Sequence, residues 1–322
     1  MRQTMRNNPA RPSATTAPQS AIARGSDGMV APETIVAHTG NVGDGDPIPS
    51  PSVAAATETA SPEPSQALLD KSILLIGDPG SGKTKFLGSC PRPLWIADFD
   101  KGGATLEDDG DDIAIQVFKD APLNTRPIPR YGIYKFGEAW DEFQKALNVI
   151  GEQIDKGTCP YKTLAIDSFT MFQNCILNHA LAHSKHPAGP VEIQDYGTLL
   201  GIQKKFFDQF TSWPLLKICT AHVERAKNDL TEATEMLPLG LGKFVAIMPM
   251  YFDEIYYLEV KNGTPAQKAE AKKRGIELES IRVLTTQPSA YIKQARTRKN
   301  VPTGTIADFK NIEPYLRPRN VG

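Results

Sequence analysis

The sequence predicts an α/β fold, a mostly parallel central sheet flanked by helices, behind an N-terminal tail with no core of its own. Three observations carry this. From Lys71 onward, short apolar runs alternate with amphipathic stretches, the pattern of strands and helices taken in turn. The first apolar run, Ser72-Ile73-Leu74-Leu75-Ile76, stops at Gly77, passes through a Gly/Pro-rich turn and restarts at Lys83 in helix-compatible sequence. Residues 1–68, by contrast, contain no Phe, Tyr or Trp and are dominated by Ala, Pro, Ser, Thr and Gly.

Such a tail cannot bury enough apolar surface to offset its ordering entropy, so disorder is expected for 1–68 and one folded domain for 69–322. The first 26 residues carry Arg and no acid, as transit peptides do, but prolines at 9, 12 and 18 and the lack of an amphipathic face favour a plain tail.

The elements follow in order. Leu94–Ala97 is a second strand, ending at Asp98-Phe99-Asp100-Lys101-Gly102-Gly103, and Ile113–Phe118 a weaker third. Residues 137–151 place Ala139, Trp140, Phe143, Leu147 and Ile150 at helical spacing. Thr163–Ser168 is a strand ending in the acid Asp167, and helices are expected over 169–184 and 197–212. Leu215–Thr220 is a core strand, followed by Ala221-His222 and a long polar segment to about Gly242. Strands at 253–260 and 281–286, with a helix at 264–274 between them, complete the sheet.

Composition bounds the function classes. The chain of 322 residues is 40% apolar and 23% charged, as globular proteins are, and no apolar run approaches the roughly 18 residues of a membrane span. The formal net charge of −1 divides unevenly: residues 1–70 carry four Arg against seven acids, residues 261–322 thirteen Lys and Arg against five. A basic C-terminal region is either a polyanion surface or a solvated face. Cys90, Cys159, Cys175 and Cys219 lie far apart with no CxxC pair, so they read as reduced thiols of a cytosolic protein.

The chemistry begins at Gly77-Asp78-Pro79-Gly80-Ser81-Gly82-Lys83-Thr84, with Lys85 following. Gly77, Gly82, Lys83 and Thr84 satisfy GxxxxGK(S/T), which chains of this size match by chance only about once in a hundred. Glycines let the loop bend so that successive amides hold phosphate oxygens at a helix N-terminus. Lys83 is expected to reach the β- and γ-phosphates of ATP, and the Thr84 hydroxyl to ligate magnesium. Asp167 should emerge beside this cradle and hold the metal's water shell.

Hydrolysis also needs a group to orient or deprotonate water. Asp167 is followed by Ser168, so the base must come from elsewhere. Asp100 is the first candidate, on the expectation that its strand neighbours the phosphate-loop strand, and Asp98 is the alternative. His222, just past a core strand, is a candidate γ-phosphate sensor. Arg296 and Arg298 lie in a basic cluster that suits either a neighbouring subunit's site or a phosphodiester backbone. His179, His183 and His186 have tempting spacing, yet no transition metal is expected, because no catalytic Glu sits between the first two and magnesium already fills the metal role.

In GDPGSGKT (77–84), ADFDKGG (97–103), LAIDS (164–168), TAH (220–222) and ARTRKNVP (295–302), the chain resembles the RecA-type P-loop ATPases. It is most similar to their single-domain phage-encoded ATP-binding proteins, some of which act in single-strand annealing and recombination. The resemblance covers about Lys71 to Pro302. It implies a RecA-like core, a catalytic carboxylate at Asp100 where the recombinases have Glu, a γ-phosphate sensor at His222, and a DNA-binding loop in Val223–Leu241. It further implies that Arg296 and Arg298 reach across subunits. The function expected is a magnesium-dependent ATPase that assembles as a homo-oligomer on single-stranded DNA with nucleotide at the interface. A packaging or partition switch with little turnover is the alternative. A small-molecule kinase is disfavoured because no Arg-rich lid stands between Lys83 and Asp167.

Overall fold

A computed structural model of the chain describes residues 69–317, apart from 107, 186–188, 228–231, 233 and 274–279. The expected tail, His186 and the middle of the polar segment after His222 lie outside the described residues. Strand β1 (Lys71–Gly77) leads through the loop 78–82 into α1 (Lys83–Gly88). β2 (Leu94–Asp98) ends in a turn and a 3-10 segment, Gly102–Leu106, before β3 (Ile113–Val117). The short β4 (Lys119–Asp120) and β5 (Ile133–Tyr134) pair ahead of α2 (Ala139–Asp155). β6 (Thr163–Asp167) is followed by α3 (Phe169–Ala182), α4 (Ile193–Ser212), β7 (Leu216–Lys227), β8 (Thr234–Pro238) and α5 (Phe244–Ile247). β9 (Glu254–Asn262), α6 (Pro265–Lys273), β10 (Ser280–Thr285), β11 (Thr305–Ile306) and α7 (Glu313–Leu316) complete the order.

The sheet runs β11-β10-β9-β1-β7-β6-β2-β3, with β8 pairing on the extension of β7. The six strands from β9 to β3 are mutually parallel, and β10 and β11 close one edge antiparallel. Two strands, β7 and β6, separate β2 from β1, so Asp100 does not follow a strand next to the phosphate-loop strand as expected. Its route to the site is instead a turn past the end of β2.

Both faces of the sheet are covered, which is why β1 is apolar at consecutive positions. Leu74 and Ile76 face a core with α2, α3 and α4, built on Trp95, Trp140, Phe143, Phe172 and Phe206. Ile73 and Leu75 face the other core with Phe86 and Leu87 of α1 and Phe309, Ile312 and Leu316 near the C-terminus. The helices match the expected periodicity, α2 burying Ala139, Trp140, Phe143, Leu147 and Ile150 on one stripe.

The segment after His222 differs from the expected loop. β7 continues through His222 to Lys227, and Val223–Lys227 pairs antiparallel with β8 as a hairpin. Once the parallel neighbour β1 ends at Gly77, opposite His222, the antiparallel return strand satisfies the backbone groups left over. No helix among the described residues is long and apolar enough to cross a membrane.

Candidate active site

The ends of β1, β2, β6 and β7 converge on one cleft of about 590 Å³, lined by the phosphate loop, Lys83, Thr84, Asp100, Asp167, His222 and Arg282. The loop curves because two glycines take conformations other residues avoid. Gly82 has φ 101° and is covered by the Arg282 side chain, so a Cβ there would lie 2.5 Å from Nε. Gly82 caps α1 with no side-chain hydrogen bond, and the helix ladder starts with the Phe86 amide donating to the Gly82 carbonyl at 2.9 Å. The first-turn amides thus face the cleft, where an anion is favoured.

Thr84 and Asp167 meet in the cleft. The Thr84 hydroxyl donates to Asp167 Oδ2 at 2.7 Å, and the Thr220 hydroxyl donates to Oδ1. Asp167 is 1% exposed. Burial pushes its carboxyl upward and Asp100 adds to that, while the Thr220, Thr84 and Lys83 contacts oppose it. A hydroxyl and a carboxylate side by side are hard oxygen donors, the set that magnesium takes alongside water and phosphate oxygens. Beside them, a Cβ on Gly102 would lie 3.0 Å from Thr84 Oγ1 and 3.4 Å from Asp167 Oδ2, so any side chain there presses on this pair.

Lys83 is buried, and its ammonium donates to the Gly77 and Asp78 carbonyls, both at 3.0 Å. Its third neighbour is His222 Nδ1 at 3.3 Å, and His222 Nε2 lies 3.5 Å from Asp100 Oδ2. With an ammonium on one side and a carboxylate on the other, the matching tautomer leaves Nδ1 bare and puts the proton on Nε2. Burial lowers the Lys83 pKa from its ordinary value, against the pull of Asp167, Asp100 and Asp78.

The turn Asp98-Phe99-Asp100 divides its labour. Phe99 is buried against Phe143 and Phe172, each with ring centroids 5.2 Å away, and its amide donates to the Asp167 carbonyl at 2.6 Å. That anchor holds the two flanking acids in place. Asp98 accepts the amides of Asp100, Lys101 and Gly103, at 3.1, 2.7 and 2.7 Å. Both its oxygens therefore help to shape the turn. Its burial raises the carboxyl to about 6 in spite of those amides. Asp100 accepts the Gly102 amide at 3.0 Å. Burial works to raise its carboxyl too, but the hydrogen bonds from His222 and Gly102 outweigh it and hold it below the usual value.

Arg296 and Arg298 are not in this cleft. Arg296 bridges Ile255, which lies level with Leu74, about 10 Å down the sheet from Gly77 by the rise of a strand. Its guanidinium donates to the Pro249 carbonyl at 2.8 Å and to that of Phe252, so it ties its own chain together and is not free to reach a neighbour as expected. Arg298 is exposed and pairs with Asp253 at 3.1 Å. Lys310 and Arg317 are likewise paired, with Asp308 and Glu313.

Three residues at the site escaped the sequence reading. Arg282 of β10 donates from Nε to the Ser81 carbonyl at 2.9 Å. Arg225 of β7 forms a two-pronged pair with Asp78, at 2.9 and 2.7 Å, which holds the Asp78 carboxyl below its usual range. Thr220 is the third. A lone hydroxyl at the end of an apolar strand, two residues before a histidine, was a signal for it; nothing local marks either arginine.

Residues 69–293 match a protein family described as an AAA domain. No curated protein matches the chain. Among solved structures, it is similar to a prototypical ATPase from the type III secretion system of pathogenic bacteria, at 13% identity and a TM-score of 0.39 over 63% of this chain and 54% of that one. The chain thus spans about half the length of that protein. It is also similar to a KaiC-like protein from the archaeon Pyrococcus horikoshii, at 15% identity and TM-score 0.33 over 67% and 77% of the two chains. A third is the flagellar accessory protein FlaH from Methanocaldococcus jannaschii, at 10% identity and TM-score 0.31 over 71% and 81%.

Proposed function

The chain belongs to the AAA domain family, a P-loop ATPase domain, and from that premise we propose a magnesium-dependent ATPase that assembles on single-stranded DNA under nucleotide control. The observation that carries the ATPase half is the Thr84–Asp167 pair at 2.7 Å in the same cleft as Lys83. In this reading the loop amides and Lys83 hold the triphosphate, and Thr84 and Asp167 hold the metal. Magnesium, when bound, neutralises charge on the β- and γ-phosphate oxygens. Asp100, held ionised, accepts the proton of the attacking water. His222 sits between Lys83 and Asp100, where it registers whether the γ-phosphate is present.

The DNA half rests on the resemblance at the sequence level and on the hairpin that continues β7 beyond His222. Subunits carrying nucleotide at their interface would need a cation from a neighbour, and Arg298, exposed, is the candidate. A nucleotide switch with little turnover is the second reading, favoured by the engagement of Asp100 with His222 and the Gly102 amide.

The test is phosphate release with and without single-stranded DNA at low salt, where phosphate contacts are strongest, with sizing in a non-hydrolysable ATP analogue. DNA-stimulated turnover and a larger assembly are expected. Turnover indifferent to DNA, with no DNA binding, overturns the DNA half and leaves the ATPase; little turnover under either condition leaves the switch.

A further inference from the structure

Away from the cleft, α2 and α3 bring three side chains together that neither the fold nor the nucleotide chemistry requires. Asp141 lies in the first turn of α2, His179 in the last turn of α3, and His183 caps that helix. One ligand atom from each lies within 4.8 Å of the other two.

Two details separate this cluster from an ordinary ion pair. His179 Nδ1 is 3.2 Å from Asp141 Oδ1, yet it is buried and makes no hydrogen bond, so the distance is right and the angle is not. That is how a lone pair and a carboxylate face one another when a cation belongs between them. His183 Nδ1 lies 2.9 Å from the His179 carbonyl. A carbonyl only accepts, so Nδ1 carries the proton and Nε2 is left with its lone pair. A ring nitrogen donating to a backbone carbonyl is the outer support usual for metal-bound histidine.

The geometry points to a divalent transition-metal site on Asp141, His179 and His183, of the zinc, cobalt or nickel class that imidazole and carboxylate select. Metal bonds of about 2.0–2.2 Å place donor atoms some 3.4 Å apart in a tetrahedron, so side-chain rotations that bring the widest pair together by at most about 1.4 Å close the site. The C-terminal end of α3 carries the negative pole of its helix dipole, which favours a cation there. Three protein donors leave a coordination position open, and His179 also lines a cleft of about 400 Å³ with Trp140, Gln144 and Lys205. The expectation that these histidines hold no transition metal rested on the missing Glu between the first two and on the metal role already given to magnesium; the sequence does not reveal the carboxylate that α2 supplies.

The site is independent of nucleotide, so its test is too. Untagged full-length protein, stripped with chelator, is titrated with Co²⁺ in millimolar Mg²⁺ and followed by visible absorption, with Zn²⁺ as competitor. One Co²⁺ per chain, displaced by Zn²⁺, is expected. His183→Ala and Asp141→Asn should each weaken it tenfold or more with an unchanged far-ultraviolet circular dichroism spectrum, and Cys159→Ser, which removes the half-buried thiol, should leave it intact. No binding, or binding equally tight in both ligand variants, overturns the assignment.

Discussion

Asp100→Asn separates the chemical role of this carboxylate from its structural one. Asparagine keeps an oxygen for the Gly102 amide, whose bond at 3.0 Å survives the change. Its amide group, however, replaces the oxygen facing His222 Nε2 at 3.5 Å, setting donor against donor. Turning the imidazole to its other tautomer moves the clash to Lys83, whose ammonium lies 3.3 Å from Nδ1. The lost contact is long, so its structural cost is about 1 kcal/mol, below the roughly 1.5–3 kcal/mol of a well-formed hydrogen bond to a charged group. Removing a general base costs 10²- to 10⁴-fold in rate, or about 3–5 kcal/mol of activation free energy. The kinetic effect should therefore far exceed the structural one. Phosphate release at saturating ATP should fall at least about 100-fold. Affinity for a fluorescent ATP analogue should change by less than about fivefold, within 1 kcal/mol, and the melting temperature by a few degrees. Turnover within threefold of the parent protein would refute the assignment and move the base to Asp98 or elsewhere.

Four further outcomes are expected. Lys83→Ala should abolish magnesium-dependent ATP binding measured by calorimetry; unchanged binding removes the central assignment. Gly102→Ala places a methyl 3.0 Å from Thr84 Oγ1, so ATP turnover should fall more steeply than melting temperature as the Thr84–Asp167 pair is forced apart. Arg282→Ala frees the Ser81 carbonyl and uncovers Gly82, and nucleotide affinity should fall about five- to tenfold, the 1 kcal/mol or more of a charged hydrogen bond, with no change expected in DNA binding. Asp98 makes stability pH-dependent: its folded value of about 6 exceeds the ordinary 3.8, so the folded state binds the proton first. The resulting stabilisation is complete below about pH 4 and lost as pH rises through 6, by about 3 kcal/mol at 1.36 per unit. In urea unfolding, the advantage of the parent protein over Asp98→Asn should shrink by about 2 kcal/mol between pH 4.5 and 7, the rest of the loss lying below pH 4.5; a constant difference contradicts it.

What the sequence revealed was whatever depends on local pattern. The phosphate loop, the apolar strands and the acid ending β6 are contiguous, and each reads from its own neighbours. The order of strands does not, because parallel pairing is set by which helices cross which face. For that reason β2 was expected beside β1, although β7 and β6 stand between them. Asp100 still reaches the cleft, since Phe99 anchors the turn in the aromatic core and Asp98 gathers its amides. Arg282 was invisible for a related reason: an antiparallel edge strand brings it 201 residues along the chain to Ser81, and no periodicity marks it. Arg296 erred the other way. It was read from composition as a free cation, whereas two carbonyls of its own chain claim it.

The placement of β7 explains why His222 and the hairpin belong to one strand. Inserting it between β1 and β6 sets its backbone beside both the phosphate loop and Asp167, a position open to no other strand. From there Thr220 touches Asp167, His222 touches Lys83 and Asp100, and Arg225 grips Asp78. Any change at Lys83 therefore acts on His222 directly and on Arg225 through the loop residue Asp78, five positions from Lys83 and hydrogen-bonded to it through its carbonyl at 3.0 Å. All three contacts lie on one continuous strand, whose last residues, Val223–Lys227, pair with β8.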